Sequence, residues 1–476
     1  MVFSSIVFLL YFLPLFLIAY YLCPNRGKNY LLLGASILFY SWGAPRFIFV
    51  ILGTTTADFF LVRFMSHQSN ERTRRLFLIL SVCLNLGLLF YFKYCNFFID
   101  NFNSLLEVFK VKPFGLLKVL LPIGISFYTF ESITYVVDVY RKEHSPLKNF
   151  MHYQLYIILF PKLIAGPIIR YKEIADQITG RFDTFNSGMA LRGFHRFIIG
   201  LSKKVLLANN IGAYADTAFG MDLNTISGQQ AWLGALCYTL QIYFDFSGYS
   251  DMAIGIGQML GFRFPENFNN PYTSLSITEF WRRWHITLGS WMRNYLYIPL
   301  GGNRVDSRVR LYFNLWIVFV LSGFWHGASW SFIIWGVFHG TFLVLERGSY
   351  GRFLIRTGKW PALLLTFLLV NFSWIFFRER TVTEAFAYIK AMFCFSRPAN
   401  SAFEGQPDLF TFLILGVFFA FFAAFKPLRS IQDRIYFGDP GLAGNACYTF
   451  AALCLFVLCL SMITASGFNP FIYFRF

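Results

Sequence analysis

The stretch Leu311–Glu346 reads LYFNLWIVFVLSGFWHGASWSFIIWGVFHGTFLVLE. Apolar runs at 311–320 and 331–338 enclose Leu-Ser-Gly-Phe-Trp-His-Gly-Ala-Ser-Trp (321–330). Stretches of this kind recur along nearly the whole chain. Of the 476 residues 56% are hydrophobic, 21% aromatic and only 14% charged, against about 25% charged in soluble domains. Several runs approach the roughly 20 residues that cross a bilayer as helix. The chain therefore reads as an all-α polytopic membrane protein.

Working outward, apolar segments fall at about 2–22, 29–44, 47–62, 76–92, 119–138, 150–166, 187–208, 228–260, 311–324, 328–346, 360–377, 408–425 and 445–464. Some of these read as re-entrant or tilted, so about 11–13 hydrophobic segments are expected. No linker, charge run or obvious internal repeat divides them, and a single membrane domain over 1–476 is expected. The run 2–22 lacks a basic flank and a small-residue cleavage site, so it reads as a retained span. The eight cysteines, Cys83, Cys454 and Cys459 among them, have no metal-ligand spacing and read as small apolar fillers.

The formal charge of +17 is not a nucleic-acid signature, because the basic residues punctuate the apolar runs instead of forming one face. Basic loops mark the cytoplasmic side. Arg26 and Lys28, then Arg63, Arg72, Arg74 and Arg75, place two early loops inside and the N-terminus outside. Arg141, Lys142 and Lys148 follow on the same alternation. The side of the C-terminus stays open.

The segment from Arg263 to Arg310 breaks the pattern. It sets Arg282, Arg283, Arg293 and Arg304 among Trp281, Trp284, Trp291 and Tyr295. This is too polar for lipid and too aromatic for a solvated loop. Interfacial or re-entrant helices packed within the protein are expected.

Ionisable groups in membrane segments are costly and mark candidate sites. His67 and His144 sit in polar loops, and His152 and His195 near span ends. His326 lies between apolar runs, with Gly323 and Gly327 allowing close backbone approach; it is either a catalytic group or a core histidine bonded to a carbonyl. His339 is 13 residues on, about 20 Å along a continuous helix, and reads as structural unless the helix breaks. His285, in the polar aromatic segment, can approach His326 from a second element. There is no His-Glu-x-x-His, Walker loop, Gly-x-Ser-x-Gly or dinucleotide fingerprint, and no metal is expected. Asp58, Glu131, Asp138, Asp245 and Asp251 keep a proton-coupled transporter or flippase open as the rival class.

Six ordered blocks carry a resemblance. They are Phe-Pro-Lys-Leu-Ile-Ala-Gly-Pro-Ile-Ile-Arg (160–170), Tyr-Phe-Asp-Phe-Ser-Gly-Tyr-Ser-Asp-Met-Ala-Ile-Gly (243–255), Asn-Phe-Asn-Asn-Pro-Tyr (267–272), Phe-Trp-Arg-Arg-Trp-His-Ile-Thr-Leu (280–288), Tyr-Ile-Pro-Leu-Gly-Gly-Asn (297–303) and Phe-Trp-His-Gly-Ala (324–328). Together they resemble the membrane-bound O-acyltransferases, in the bacterial branch of alginate and peptidoglycan O-acetylation and, more distantly, teichoic acid D-alanylation. The resemblance implies N-terminal spans over 1–118, an acyltransferase core over 119–346 and C-terminal spans over 347–476. It implies a funnel around a buried histidine, with His326 as the invariant residue and His285 as the second.

Histidine suits such a reaction, since it can take the hydroxyl proton and return one to the leaving thiolate. His326 is accordingly assigned as general base. His285 orients the acceptor, carries a proton or stabilises the oxyanion, three roles left open. Arg282, Arg283 and Trp325 are candidate substrate or donor contacts. The terminus holds Phe471, Tyr473 and Phe476 as Phe-x-Tyr-x-x-Phe, similar to the accessory peptide of D-alanylation systems, so that Tyr473 is implied as an acyl relay; the alternative is an aromatic anchor of the last helix. The resemblance further implies acetyl-CoA as donor with no bound cofactor, an extracytoplasmic transferase partner, an exported polysaccharide acceptor (alginate, peptidoglycan, cellulose or another polymer), and a bacterial inner-membrane location. D-alanyl transfer from a carrier-protein thioester is the second enzymatic alternative.

Overall fold

The computed structural model describes residues 1–115, 119–398, 408–438, 440–466 and 471–472. Among these the regular structure is helical throughout, and each of the thirteen apolar stretches carries helix. Among the described residues four helices are long and apolar enough to span a bilayer: Ile48–His67, Glu71–Val108, Lys359–Arg378 and Gly441–Ala465. A fifth candidate, Asp408–Ala424 with Lys426–Phe437, bends by 95°. The remaining helices are shorter, broken or more polar. The 32-residue helix Gly228–Met259, for example, buries Gln230, Gln241, Asp245 and Asp251 among protein rather than lipid.

Two compact units form, Met1–Gly193 with Ile256–Pro265, and Phe194–Gly255 with Glu266–Phe476. In the first, polar groups tie apolar helices together. Asp58 accepts from Ser81 Oγ at 2.5 Å and Asn85 Nδ2 at 2.7 Å. Glu131 pairs with Lys162 in a fully buried bridge. Arg181 lies between the rings of Phe182 and Phe262 and donates to Asn29 Oδ1 at 2.7 Å and the Leu260 carbonyl at 3.1 Å. A carboxylate at membrane depth is tolerable only when bonded in this way.

The structure redraws several boundaries. The apolar stretch 76–92 belongs to a 38-residue helix, Glu71–Val108. Its continuation 95–108 falls outside the apolar stretches because Asp100, Asn101 and Glu107 interrupt it, yet it stays helical, and Asn101 Nδ2 donates back to the Phe97 carbonyl at 2.7 Å. The stretch 119–138 becomes helical only at Ile125, after Gly124 at φ 78°, where a Cβ would meet the Leu163 carbonyl at 2.8 Å. The stretch 150–166 breaks at Leu159, because Pro161 cannot donate to a continuing ladder. The segment 263–310 holds the short helices Ile277–Arg283 and Ile286–Trp291 with irregular backbone on either side. Trp284, Leu288 and Trp291 are buried there, so this segment packs within the protein.

In the second unit, Arg308–His326 and Trp330–Glu346 form an antiparallel hairpin. Glycines set its closeness. A Cβ at Gly323 would lie 2.2 Å from the Phe332 carbonyl, and one at Gly336 would lie 2.4 Å from that of Phe319. The two backbones thus touch, and His326 sits at the turn.

Candidate active site

Three histidines meet one aromatic cluster in the second unit. The helix ends at His326, and Gly327 continues in extended backbone before Trp330 restarts it. His326 is buried (6% exposed). Its ring centroid lies 5.0 Å from Trp325, 5.3 Å from Trp335 and 5.2 Å from Phe377. The hairpin also answers the question of His339. The helix breaks, the chain doubles back, and His339 packs against the same Trp335 ring at 4.9 Å.

Donor identity fixes the protonation of His339. The Trp281 indole N–H can only donate, and it meets His339 Nδ1 at 3.2 Å. The ring proton therefore sits on Nε2, which donates to Ser373 Oγ at 3.0 Å, while Ser373 donates onward to the Val370 carbonyl at 2.7 Å. Both nitrogens of His339 are engaged in bracing three elements.

His285 is the opposite case. It occupies the left-handed region (φ 45°, ψ 53°) between the two short helices, a conformation that costs a non-glycine residue about 1–2 kcal/mol. The block Asn-Phe-Asn-Asn holds it there: Ile286 N–H donates to the Asn267 carbonyl and Asn269 N–H to that of Arg283, each at 2.9 Å. Asn267 Oδ1 accepts from the Thr287 backbone N–H at 3.3 Å and Thr287 Oγ at 2.9 Å. Because a backbone N–H only donates, that amide atom is an oxygen, and His285 Nδ1, 3.1 Å from it, must carry the ring proton. Nε2 is then the unprotonated nitrogen. It is buried, with no hydrogen-bond partner among the described residues.

Trp325 joins the two candidate residues, since its ring lies 6.5 Å from His285 and 5.0 Å from His326. Phe246 packs edge-on against His285 at 4.7 Å. One turn before His326, Ser322 lines a mostly apolar cavity of about 170 Å³ with Trp281, Leu288, Met292, Arg293 and Val318. Arg283 is held by Glu279 at 2.6 Å, whereas Arg282 is exposed. Tyr473 lies outside the described residues. The acids of this unit are bonded too: Asp251 to Arg196 and Lys203, and Asp245 to Lys204, each at 2.7 Å.

The profile of the membrane-bound O-acyltransferase family matches residues 10–382. The chain belongs to that family. A probable alginate O-acetylase AlgI of Pseudomonas aeruginosa is 47% identical over 399 residues, covering 83% of this chain and 75% of the relative. One from Azotobacter vinelandii is 40% identical over the full length of both. A peptidoglycan O-acetyltransferase of Helicobacter pylori is 38% identical, covering 82% and 80%. As a membrane-bound O-acyltransferase the chain is an enzyme, which sets the transporter reading aside; its intramembrane acids brace helices instead. The matched stretch contains all six blocks, Asn267, His285 and His326, and stops short of Tyr473. Within the family blocks, the role of Asn267 escaped sequence reading, because its partner lies 18 residues away across a strained turn.

Proposed function

We propose that this membrane-bound O-acyltransferase transfers acetyl from cytoplasmic acetyl-CoA to an exported polysaccharide from a bacterial inner membrane, through an extracytoplasmic partner transferase. The observation that carries the reading is the His285–Trp325–His326 arrangement, with the proton of His285 held on Nδ1 by Asn267. The named relatives act on alginate or peptidoglycan and are acetyl-transferring enzymes, which favours acetyl over D-alanyl transfer.

In this reading His326 removes the proton of the acceptor hydroxyl as its oxygen attacks the thioester carbon. The new ester C–O bond forms, the C–S bond breaks, and the proton passes from His326 to the leaving thiolate. An unprotonated Nε2 on His285 cannot donate to an oxyanion. Of the three roles open to His285, it supports orienting the acceptor hydroxyl or carrying its proton. The first acceptor is the Tyr473 phenol. Its acetyl ester is then consumed by a polymer hydroxyl on the partner, which returns the phenol and conserves every atom of the acetyl group.

The test is acetylation in cells carrying His326→Ala at normal protein level. General acid–base catalysis supplies about 10²–10⁴-fold, so polymer acetylation is expected to fall below detection. Unchanged acetylation would remove His326 from the mechanism. In parallel, mass spectrometry of the C-terminal peptide after loading with acetyl-CoA is expected to show an acetyl adduct on Tyr473 that Tyr473→Phe abolishes.

A further inference from the structure

The loop that orients His285 is held at both ends from one helix of the second unit. Asn267, the partner of His285 Nδ1, lies between Glu266 and Asn270. At the first end the Glu266 carboxylate accepts both terminal nitrogens of Arg196, at 3.1 and 2.5 Å. Arg196 is buried, and its Nε donates to Asp251 at 2.9 Å. The Tyr436 ring covers the guanidinium, its centroid 4.1 Å from the central carbon. At the second end Asn270, in the left-handed region (φ 48°, ψ 57°), donates from Nδ2 to Gln432 Oε1 at 2.9 Å.

Gln432 and Tyr436 stand four residues apart on helix Lys426–Phe437, so they project from one face. Leu428, one turn earlier, is half-buried on that face, whereas Lys426, Arg429, Ile431, Arg434 and Ile435 are exposed. The inward stripe of an amphipathic helix is ordinarily apolar. Here it offers an amide acceptor and an aromatic face, each matched to a polar group of the second unit. An amide–amide bond contributes little net stability, but it fixes direction. His285 and Asn270 both occupy the left-handed region, and non-glycine residues persist there only where their surroundings over-determine them.

We propose that helix Lys426–Phe437 is a positioning element for the active site: through Arg196–Tyr436 and Asn270–Gln432 it clamps the loop 266–270, so that Asn267 holds His285 in its left-handed conformation with the ring proton on Nδ1. This rests on the reading above in which His285 orients the acceptor hydroxyl or carries its proton. Arg196, Gln432 and Tyr436 act through Asn267 and are positioning residues.

Hydrogen–deuterium exchange on the full-length protein reads the clamp apart from activity. Gln432→Leu and Tyr436→Leu each remove one tie and leave an apolar side chain in its place. Gln432→Leu decides the matter if Tyr436→Leu does not fold. In either, the amides of Asn269 and Ile286, which bond to Arg283 and Asn267, are expected to exchange about tenfold faster, with the 308–346 hairpin unchanged. The kcat for acetyl transfer is expected to fall about tenfold with KM for acetyl-CoA unaltered. Tyr436→Phe keeps the ring over Arg196 and is expected to retain wild-type exchange and kcat. In an Asn267→Leu background, Gln432→Leu is expected to add less than about twofold, because residues acting through one partner are not additive. Unchanged exchange at Ile286 overturns the clamp whatever the activity, and a fully additive loss of kcat overturns the route through Asn267. Faster exchange with normal acetyl transfer upholds the clamp and overturns the part given to His285.

Discussion

Proton placement gives two buried histidines, His285 and His339, different tasks. His339 has both nitrogens bonded, to Trp281 and Ser373, whereas His285 is bonded at Nδ1 alone among the described residues. Asn267→Leu frees the His285 ring and its tautomer. It is expected to lower the acetyl-transfer rate about tenfold or more, some 1.4 kcal/mol of barrier per decade, with KM for acetyl-CoA unchanged. Asn267→Asp places a carboxylate against Nδ1, favours the imidazolium, and is expected to move the acidic limb of the pH–rate profile upward. Steady-state kinetics across pH checks both. By contrast, His339→Leu leaves Trp281 Nε1 and Ser373 without their partner and is expected to cost about 1–3 kcal/mol of stability. Its melting temperature is expected to drop, with no movement of the pH profile.

The cost of an intramembrane histidine singled out His326 without deciding its role. The six ordered blocks carried the catalytic reading of His326 and of His285 as the second histidine. The ring of Trp325 is what connects them in the structure. Asn267 could be quoted within a block but not given a task, since tautomer control depends on a contact between separate turns.

At the level of elements, the hairpin 308–346 determines where His326 stands. Its apolar halves were legible from composition, and the break after His326 was foreshadowed by Gly327. Its antiparallel closeness was not, because it depends on Gly323 and Gly336 facing opposite carbonyls. Gly336→Val is expected to force these backbones apart at an overpacking cost of about 1–3 kcal/mol and to reduce folded protein in detergent. Gly53→Ala, on helix Ile48–His67 where a Cβ would meet nothing within 4 Å, is expected to leave the melting temperature within error. Equal loss in both would show that the hairpin has no special need for glycine. The amphipathic helices Tyr171–Gly180, Ser349–Thr357 and Lys426–Phe437 fell outside the apolar scan, since each carries too many charges to register as a span.

For the whole molecule, charge gives the orientation. Within the second unit, Arg304, Arg308 and Arg310 lie at the end of the hairpin where Arg347 reaches Asn303 at 3.2 Å, and Arg352, Arg356 and Lys359 follow. The positive-inside rule predicts that this basic end faces the cytoplasm. Arg352→Cys is expected to react with a membrane-impermeant maleimide only from the cytoplasmic side, and Glu384→Cys only from outside. The reverse pattern would invert the donor and acceptor faces. Membrane class and family blocks were readable from one sequence because both are local. Bonding of the buried acids was not, because Asp251 lies 55 residues from Arg196 and 48 from Lys203 along the chain.

The central claim is that His326 performs the proton transfer that moves an acetyl group off acetyl-CoA. Purified protein in nanodiscs, given acetyl-labelled acetyl-CoA, tests it in one turnover. The account predicts labelled protein and one free thiol per acetyl transferred in wild type, with His326→Ala slower by about 10²–10⁴-fold at unchanged fold by melting temperature. Wild-type single-turnover rates in a folded His326→Ala variant would contradict it.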